Sequence, residues 1–208
     1  MDFLRFYHPM SKTTLGGLVL ELATRRKSVR KFSIKQVLMD DILYALKVAR
    51  QAPSGANGQP WRFIIITEPD LKKRIRDASE KSEQILYTKI KGDFREWLLN
   101  HGFSHEKPFL EEAPILIAVL MNVSTQYARE SIWIAMGHLI LALEERGLST
   151  ITYTPSNPKL PLAELKAPQG FKLEAILPVG YSEDKTLKKT KKGLDEIAFM
   201  NKWGVKLA

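Results

Sequence analysis

Residues Ala52–Thr67 read APSGANGQPWRFIIIT, and the order of parts in this stretch decides the fold class. Two prolines and two glycines fall within Ala52–Pro60. They constrain a loop whose backbone N–H groups can face a ligand; a plain helix-to-strand turn is the alternative reading. Arg62–Thr67 (RFIIIT) is a short β-branched run and reads as a strand buried on both faces. Immediately upstream, Asp40 and Asp41 precede a helix over Ile42–Arg50, with Ile42, Ala45, Leu46 and Ala49 on one face.

Working outward, residues 1–14 form an N-terminal arm without a clear period, and Leu15–Lys27 reads as a helix carrying Leu18 and Leu22. Downstream, Pro69 opens a helix to about Ser79, and charged, weakly patterned sequence follows to Lys107. Pro114 introduces a strand over Ile115–Met121. Tyr127–Arg146 is the longest helix, its core stripe being Ile132, Ala135, Leu139 and Leu143, with Gly147 placed as a C-terminal cap. Strands follow near Ser149–Tyr153 and Leu173–Val179, and then a basic tail over 182–208. Helices and strands alternate, which predicts an α+β or α/β sandwich around one mixed sheet of four or five strands. At 208 residues, with no internal repeat and no linker, the chain reads as a single domain over 1–208.

Thirty-two Lys and Arg against 23 Asp and Glu give a net charge of +9, with a pI near 9.6. The excess favours anionic partners: nucleic acid, an acidic membrane surface or a phosphorylated small molecule. Five lysines fall within Lys185–Lys192 (KTLKKTKK). The absence of cysteine removes disulfides, thiolate catalysis and iron–sulfur ligation together. No apolar run approaches the ~20 residues needed to cross a bilayer, and the first residues lack a signal-peptide core. A cytoplasmic protein without membrane attachment is the expectation.

Several chemistries are disfavoured. There is no GxxxxGK[ST], and no GxGxxG joins a strand to a helix. His8, His101, His105 and His138 lack a carboxylate set of metal-ligand spacing, so no metal is expected. A Ser-His-Asp triad lacks its GxSxG elbow. What remains is three polar clusters. Arg26–Arg30 (RKSVR) sets guanidiniums, an ammonium and a hydroxyl where a phosphate dianion would suit them, although a basic helix C-terminus also suits the macrodipole. The second cluster is the Ala52–Trp61 loop. The third is Thr150–Pro155 (TITYTP), with the lysine tail further downstream.

In this order, RKSVR, APSGANGQPW and the later Pro178–Tyr181 (PVGY) resemble the FMN-dependent nitroreductase superfamily from about Leu18 to Ala198. Within it the chain is similar to the iodotyrosine deiodinase branch, on APSGA and on Gly147–Asn157 (GLSTITYTPSN). The resemblance implies a nitroreductase-like α/β sandwich with a central, mainly antiparallel mixed sheet, and an obligate homodimer with exchanged tails. It also implies an active-site lid over 80–107, in which Glu83, Tyr87 and Lys107 would grip the amino-acid end of a halotyrosine. Glu83 and Tyr87 share a helical face, and the three groups suit a zwitterion.

The resemblance assigns further roles. Arg26, Lys27, Ser28 and Arg30 would hold the FMN phosphate, ribityl chain and pyrimidine edge. Lys191 stands where the family usually places an Arg, and Lys is the less directional phosphate partner. Pro53, Ser54, Gly55 and Asn57 would line the flavin from the partner subunit, and the Ala56 backbone would receive the substrate phenolate. Thr152, Tyr153 and Thr154 would lie over the flavin, the Thr154 hydroxyl bonding N5 as the catalytic contact that favours single-electron steps. Tyr153 departs from the small residue expected, and Asn57 and Gln59 are more typical of general nitroreductases. Reductive dehalogenation of halotyrosines is thus the expected activity. The alternatives are a general NAD(P)H-dependent nitroreductase or quinone reductase, a flavin-binding protein without turnover, and a basic nucleic-acid-binding module. The electron donor is expected to be NAD(P)H or a separate reductase.

Overall fold

The computed structural model describes residues 17–207. The N-terminal arm over 1–14 and the expected start of the first helix at Leu15 lie outside them. Eight helices are described, α1 (Leu18–Arg25), α2 (Met39–Ala49), α3 (Pro69–Lys89), α4 (Gly92–Asn100), α5 (Phe109–Glu112), α6 (Ala128–Glu145), α7 (Lys159–Glu164) and α8 (Leu194–Ile197). The strands are β1 (Trp61–Ile66), β2 (Ile115–Asn122), β3 (Ser149–Thr150) and β4 (Phe171–Gly180).

The described strands form a single sheet, in the order β1-β2-β4-β3, and every ladder is antiparallel. The parallel contribution expected of a mixed sheet is confined to the isolated bridge between Ser28 and Thr150. β1 lies at an edge and is half-buried along its middle, not buried on both faces, because only β2 pairs with it. The strand expected over Ser149–Tyr153 keeps a two-residue ladder, and Tyr153 rejoins β4 through a bridge to Ile176.

Strand periodicity divides the core into two layers. Ile115, Ile117 and Val119 of β2 pack with Ala175, Leu177 and Val179 of β4 against α2 and α6. There Ile132, Ala135, Leu139 and Leu143 are fully buried, as the sequence stripe predicts. Leu116, Ala118 and Leu120 face the other way and meet Ile75 of α3 with Phe109 and Leu110 of α5. The sheet is therefore sandwiched between helices.

The largest departure from sequence expectation is α3. It does not stop near Ser79 but continues for ten residues, to Lys89, and α4 then occupies much of the segment read as unpatterned. The continuation buries a polar face, Ser79, Ser82 and Glu83, which a search for apolar spacing passes over.

Candidate active site

A cleft of about 410 Å³ joins the two ends of the described chain. Its walls include Arg26, Lys27, Ser28 and Arg30, which follow α1, and Lys188, Lys189 and Lys191 of the tail. Its size falls within the range of small-molecule pockets. Two lysines hold the walls together. Lys27 Nζ donates to the Asp184 and Thr186 carbonyls at 2.6 and 2.5 Å. Lys188 Nζ donates to the Ala23 and Thr24 carbonyls, both at 2.6 Å, at the C-terminal end of α1 where a cation is favoured.

Asp184 is the carboxylate that shapes this junction, accepting from the Arg30 backbone N–H at 3.2 Å and the Thr186 hydroxyl at 2.6 Å. Burial pushes its carboxyl up, but Thr186, the Arg30 N–H and the Lys27 charge outweigh burial and hold it below the usual carboxylate range. Among the described residues no carboxylate pairs with Arg26, Arg30, Lys189 or Lys191. A wall of cations with so little internal neutralisation fits a phosphorylated ligand.

His101, Gly102 and Phe103 close the cleft on the side of α4. The His101 ring stacks on Trp97 with centroids 4.3 Å apart, and the Arg30 guanidinium lies over the Phe103 ring at 5.9 Å. These cleft residues are not among the sequence-derived candidates. Only the fold brings them to the basic wall, and no local motif announces it.

Of the three residues that the resemblance groups, Glu83 lies near enough to Tyr87 and to Lys107 for its charge to act on both. Glu83 is 6% exposed, and its Oε1 accepts from the Tyr153 hydroxyl at 2.8 Å and the Ser156 N–H at 3.1 Å. Burial raises the Tyr87 phenol, and the Glu83 charge adds to this. Burial lowers the Lys107 ammonium, against the opposing pull of Glu83 and Glu80, while Arg30 lowers it further. Lys107 thus stands between Arg30 of the basic cleft and the buried carboxylate. In this state its Nζ rests on the Ser104 carbonyl, and its backbone N–H is anchored on Glu80 Oε1 at 2.7 Å.

The Thr152–Thr154 segment is divided by its backbone pairing. Tyr153 exchanges hydrogen bonds with Ile176 at 3.1 and 2.8 Å. Its ring packs edge-on to Phe109 with centroids 5.8 Å apart, and its hydroxyl reaches Glu83. Extended backbone turns Thr152 and Thr154 away from that side; Thr152 is half-buried and Thr154 exposed. The Tyr153 side chain therefore belongs to the Glu83 group, not to the surface that the two threonines share.

The Ala52–Trp61 loop does not line the cleft of its own chain. Ala56, Asn57 and Gln59 all adopt positive φ, at 48, 54 and 43°, a cluster of non-glycine residues in the left-handed region. Ser54 Oγ accepts from the Gln59 N–H at 3.1 Å, and the Gly55 N–H donates to Ser131 Oγ at 3.2 Å. A side chain at Gly55 would meet Tyr127 Cδ2 at 2.9 Å and the Gln126 carbonyl at 3.1 Å, so the loop lies hard against the start of α6. Pro53 and Asn57 are exposed beside it, and the exposed Ala56 N–H has no hydrogen-bond partner among the described residues.

A family model described as the Nitroreductase family matches residues 23–181. An iodotyrosine deiodinase of Thermotoga neapolitana is 45% identical over 167 residues, covering 80% of this chain and 90% of that protein. Among solved structures, oxidized iodotyrosine deiodinase bound to FMN and 3-iodo-L-tyrosine superposes with a TM-score of 0.81 at 43% identity. That match covers 84% of this chain and 95% of the other. A BluB-like flavoprotein from Clostridium difficile superposes with a TM-score of 0.74 at 27% identity, over 90% of this chain and all of the other.

Proposed function

The chain belongs to the nitroreductase family of FMN-dependent oxidoreductases, and from that premise we propose that it removes halide reductively from halotyrosines. The observation that carries this reading is the charge of Glu83 acting on both Tyr87 and Lys107, which puts a carboxylate, a phenol and an ammonium in one neighbourhood. A nitroaromatic or quinone offers no cation for the Glu83 carboxylate, whereas the zwitterion of an amino acid satisfies all three groups.

Arg26, Lys27, Ser28 and Arg30, with Lys191 from the tail, hold the FMN phosphate and the pyrimidine edge. Bound FMN supplies two electrons which, with one proton taken up at the halogen-bearing carbon, replace the carbon–halogen bond by carbon–hydrogen and release halide. The chain's own part is to bind and orient. Glu83 takes the substrate ammonium, Tyr87 and Lys107 take its carboxylate, and the Ala56 N–H takes the ring oxygen as phenolate. The Thr154 hydroxyl would meet the flavin, with Thr152 beside it. The phenolate site rests on an N–H that the fold leaves unpaired among the described residues.

The active form is a homodimer. Pro53, Ser54, Gly55 and Asn57 lie apart from the basic cleft of their own chain, which fits their delivery to it by a second copy. Apolar side chains exposed on α6 and along the tail supply a surface for this: Trp133, Ile134, Leu187, Leu194 and Trp203. Among the described residues no helix is long and apolar enough to cross a membrane, and no His and carboxylate cluster suits a metal. We place the protein in the cytoplasm, with NAD(P)H or a separate reductase as electron donor.

Quenching of flavin fluorescence by 3-iodotyrosine, tyrosine and a nitrophenol tests the reading. Iodotyrosine is expected to bind tighter than tyrosine, since iodine acidifies the phenol, and tighter than the nitrophenol, which lacks the zwitterion. Replacing Glu83 or Lys107 by Ala should abolish iodotyrosine turnover and spare that of a nitroaromatic. Equal binding of iodotyrosine and tyrosine would instead support the general nitroreductase.

A further inference from the structure

Glu83 is a carboxylate buried to 6% exposure on α3, and it has to present an oxygen to an incoming cation. A glutamate left to itself there would be free to turn about its side-chain torsions, and each substrate would bear the cost of ordering it. The structure supplies a support for it. Tyr153, itself 7% exposed, donates its hydroxyl to Glu83 Oε1 at 2.8 Å, and the Ser156 N–H donates to the same oxygen at 3.1 Å. Ser156 is fixed in turn by a hydroxyl contact to Ser82 Oγ at 3.0 Å. Both donors fall on Oε1, and Oε2 accepts no hydrogen bond among the described residues.

We propose that Tyr153 is a positioning residue for substrate recognition. Its phenol, with the Ser156 N–H, holds the Glu83 carboxylate by one oxygen so that the other is aimed at the ammonium of the amino-acid substrate. The proposal rests on the halotyrosine reading above and deepens it. The residue is held at two points: its backbone is pinned to Ile176 on β4, and its ring makes a T-shaped contact with Phe109. The donor is therefore rigid, and the rotamer it imposes on Glu83 is set by the sheet. Burial and the adjacent carboxylate both raise the Tyr153 phenol, so it remains a donor over the whole working range. The same residue stands between Thr152 and Thr154. The ammonium subsite and the surface those threonines share are thereby held by one short piece of backbone.

The test uses the FMN-loaded protein and the variants Tyr153→Phe and Glu83→Gln, with 3-iodotyrosine and with 2-iodophenol, which has no ammonium. Tyr153→Phe removes one oxygen and keeps the ring. It should raise KM for 3-iodotyrosine roughly ten- to a hundredfold, as expected for one hydrogen bond to a charged group, with kcat within about twofold. Binding of 2-iodophenol should be unchanged. The double variant should be little worse than Glu83→Gln alone, because both act through one carboxylate. A merely structural tyrosine would weaken both ligands alike, and that result overturns the proposal. So does a Tyr153→Phe protein whose KM for 3-iodotyrosine equals that of the unaltered protein. Failure of the unaltered protein to bind 3-iodotyrosine would instead overturn the halotyrosine reading. Should Tyr153→Phe not fold, 3-fluorotyrosine placed at position 153 gives a fluorine resonance that should move with 3-iodotyrosine and stay with 2-iodophenol. Movement with both, or with neither, overturns the assignment.

Discussion

At the scale of single residues, the P-V-G-Y motif has a steric reason. A side chain at Gly180 would sit 2.7 Å from Pro114 Cδ and 3.2 Å from Phe32 Cδ1. A proline ring has little freedom to give way, so Gly180→Ala should cost about 1–3 kcal/mol, read as a lower denaturant midpoint at unchanged slope. Asp184 makes a second case. Its carboxyl is held low in the fold, so the unfolded chain binds the proton more readily, and stability rises with pH through the acid range. The contribution is complete above the unfolded value and is lost as pH falls through the folded one. Asp184→Asn should therefore flatten the acid limb of a melting-temperature profile below about pH 4 and leave its neutral part parallel.

At the scale of elements, α4 and the turn after it form one wall of the cleft through aromatic packing. Trp97 stacks on His101 and faces Phe103 with centroids 5.8 Å apart. Trp97→Ala should weaken FMN binding about three- to tenfold while global melting moves little, since α4 buries no side chain in the core. Amide exchange over 92–103 should quicken in that variant. Elements whose apolar spacing reaches the core were legible from sequence. The α6 stripe appears where its helical spacing puts it, and the Ile115–Met121 strand where its unbroken apolar run puts it. The second half of α3 was not legible, since Ser82 and Glu83 bury polar groups whose partners lie some 70 residues away. Glu83, Tyr87 and Lys107 could be named from the family resemblance, but the Tyr153 hydroxyl on Glu83 could not. The His101–Phe103 side of the cleft was equally silent, being long-range packing.

At the scale of the whole molecule, a net charge of +9 and an unneutralised cationic cleft predict electrostatic steering of an anionic cofactor. Stopped-flow association of FMN with the apoprotein should slow as ionic strength rises, with a much weaker effect on dissociation. Sedimentation should report a dimer, and removal of residues 194–207 should weaken that association along with FMN retention, because it deletes the apolar α8 and Trp203. The lysine clasps carry a consequence for biogenesis. Lys188 grips the carbonyls of Ala23 and Thr24 across 165 and 164 residues, and Lys27 reaches the tail across 157. An elongating polypeptide therefore has no phosphate cradle until nearly all of it has left the ribosome. On the FMN reading, loading should follow synthesis, and a product terminated before Lys188 should fail to retain the vitamin-derived group.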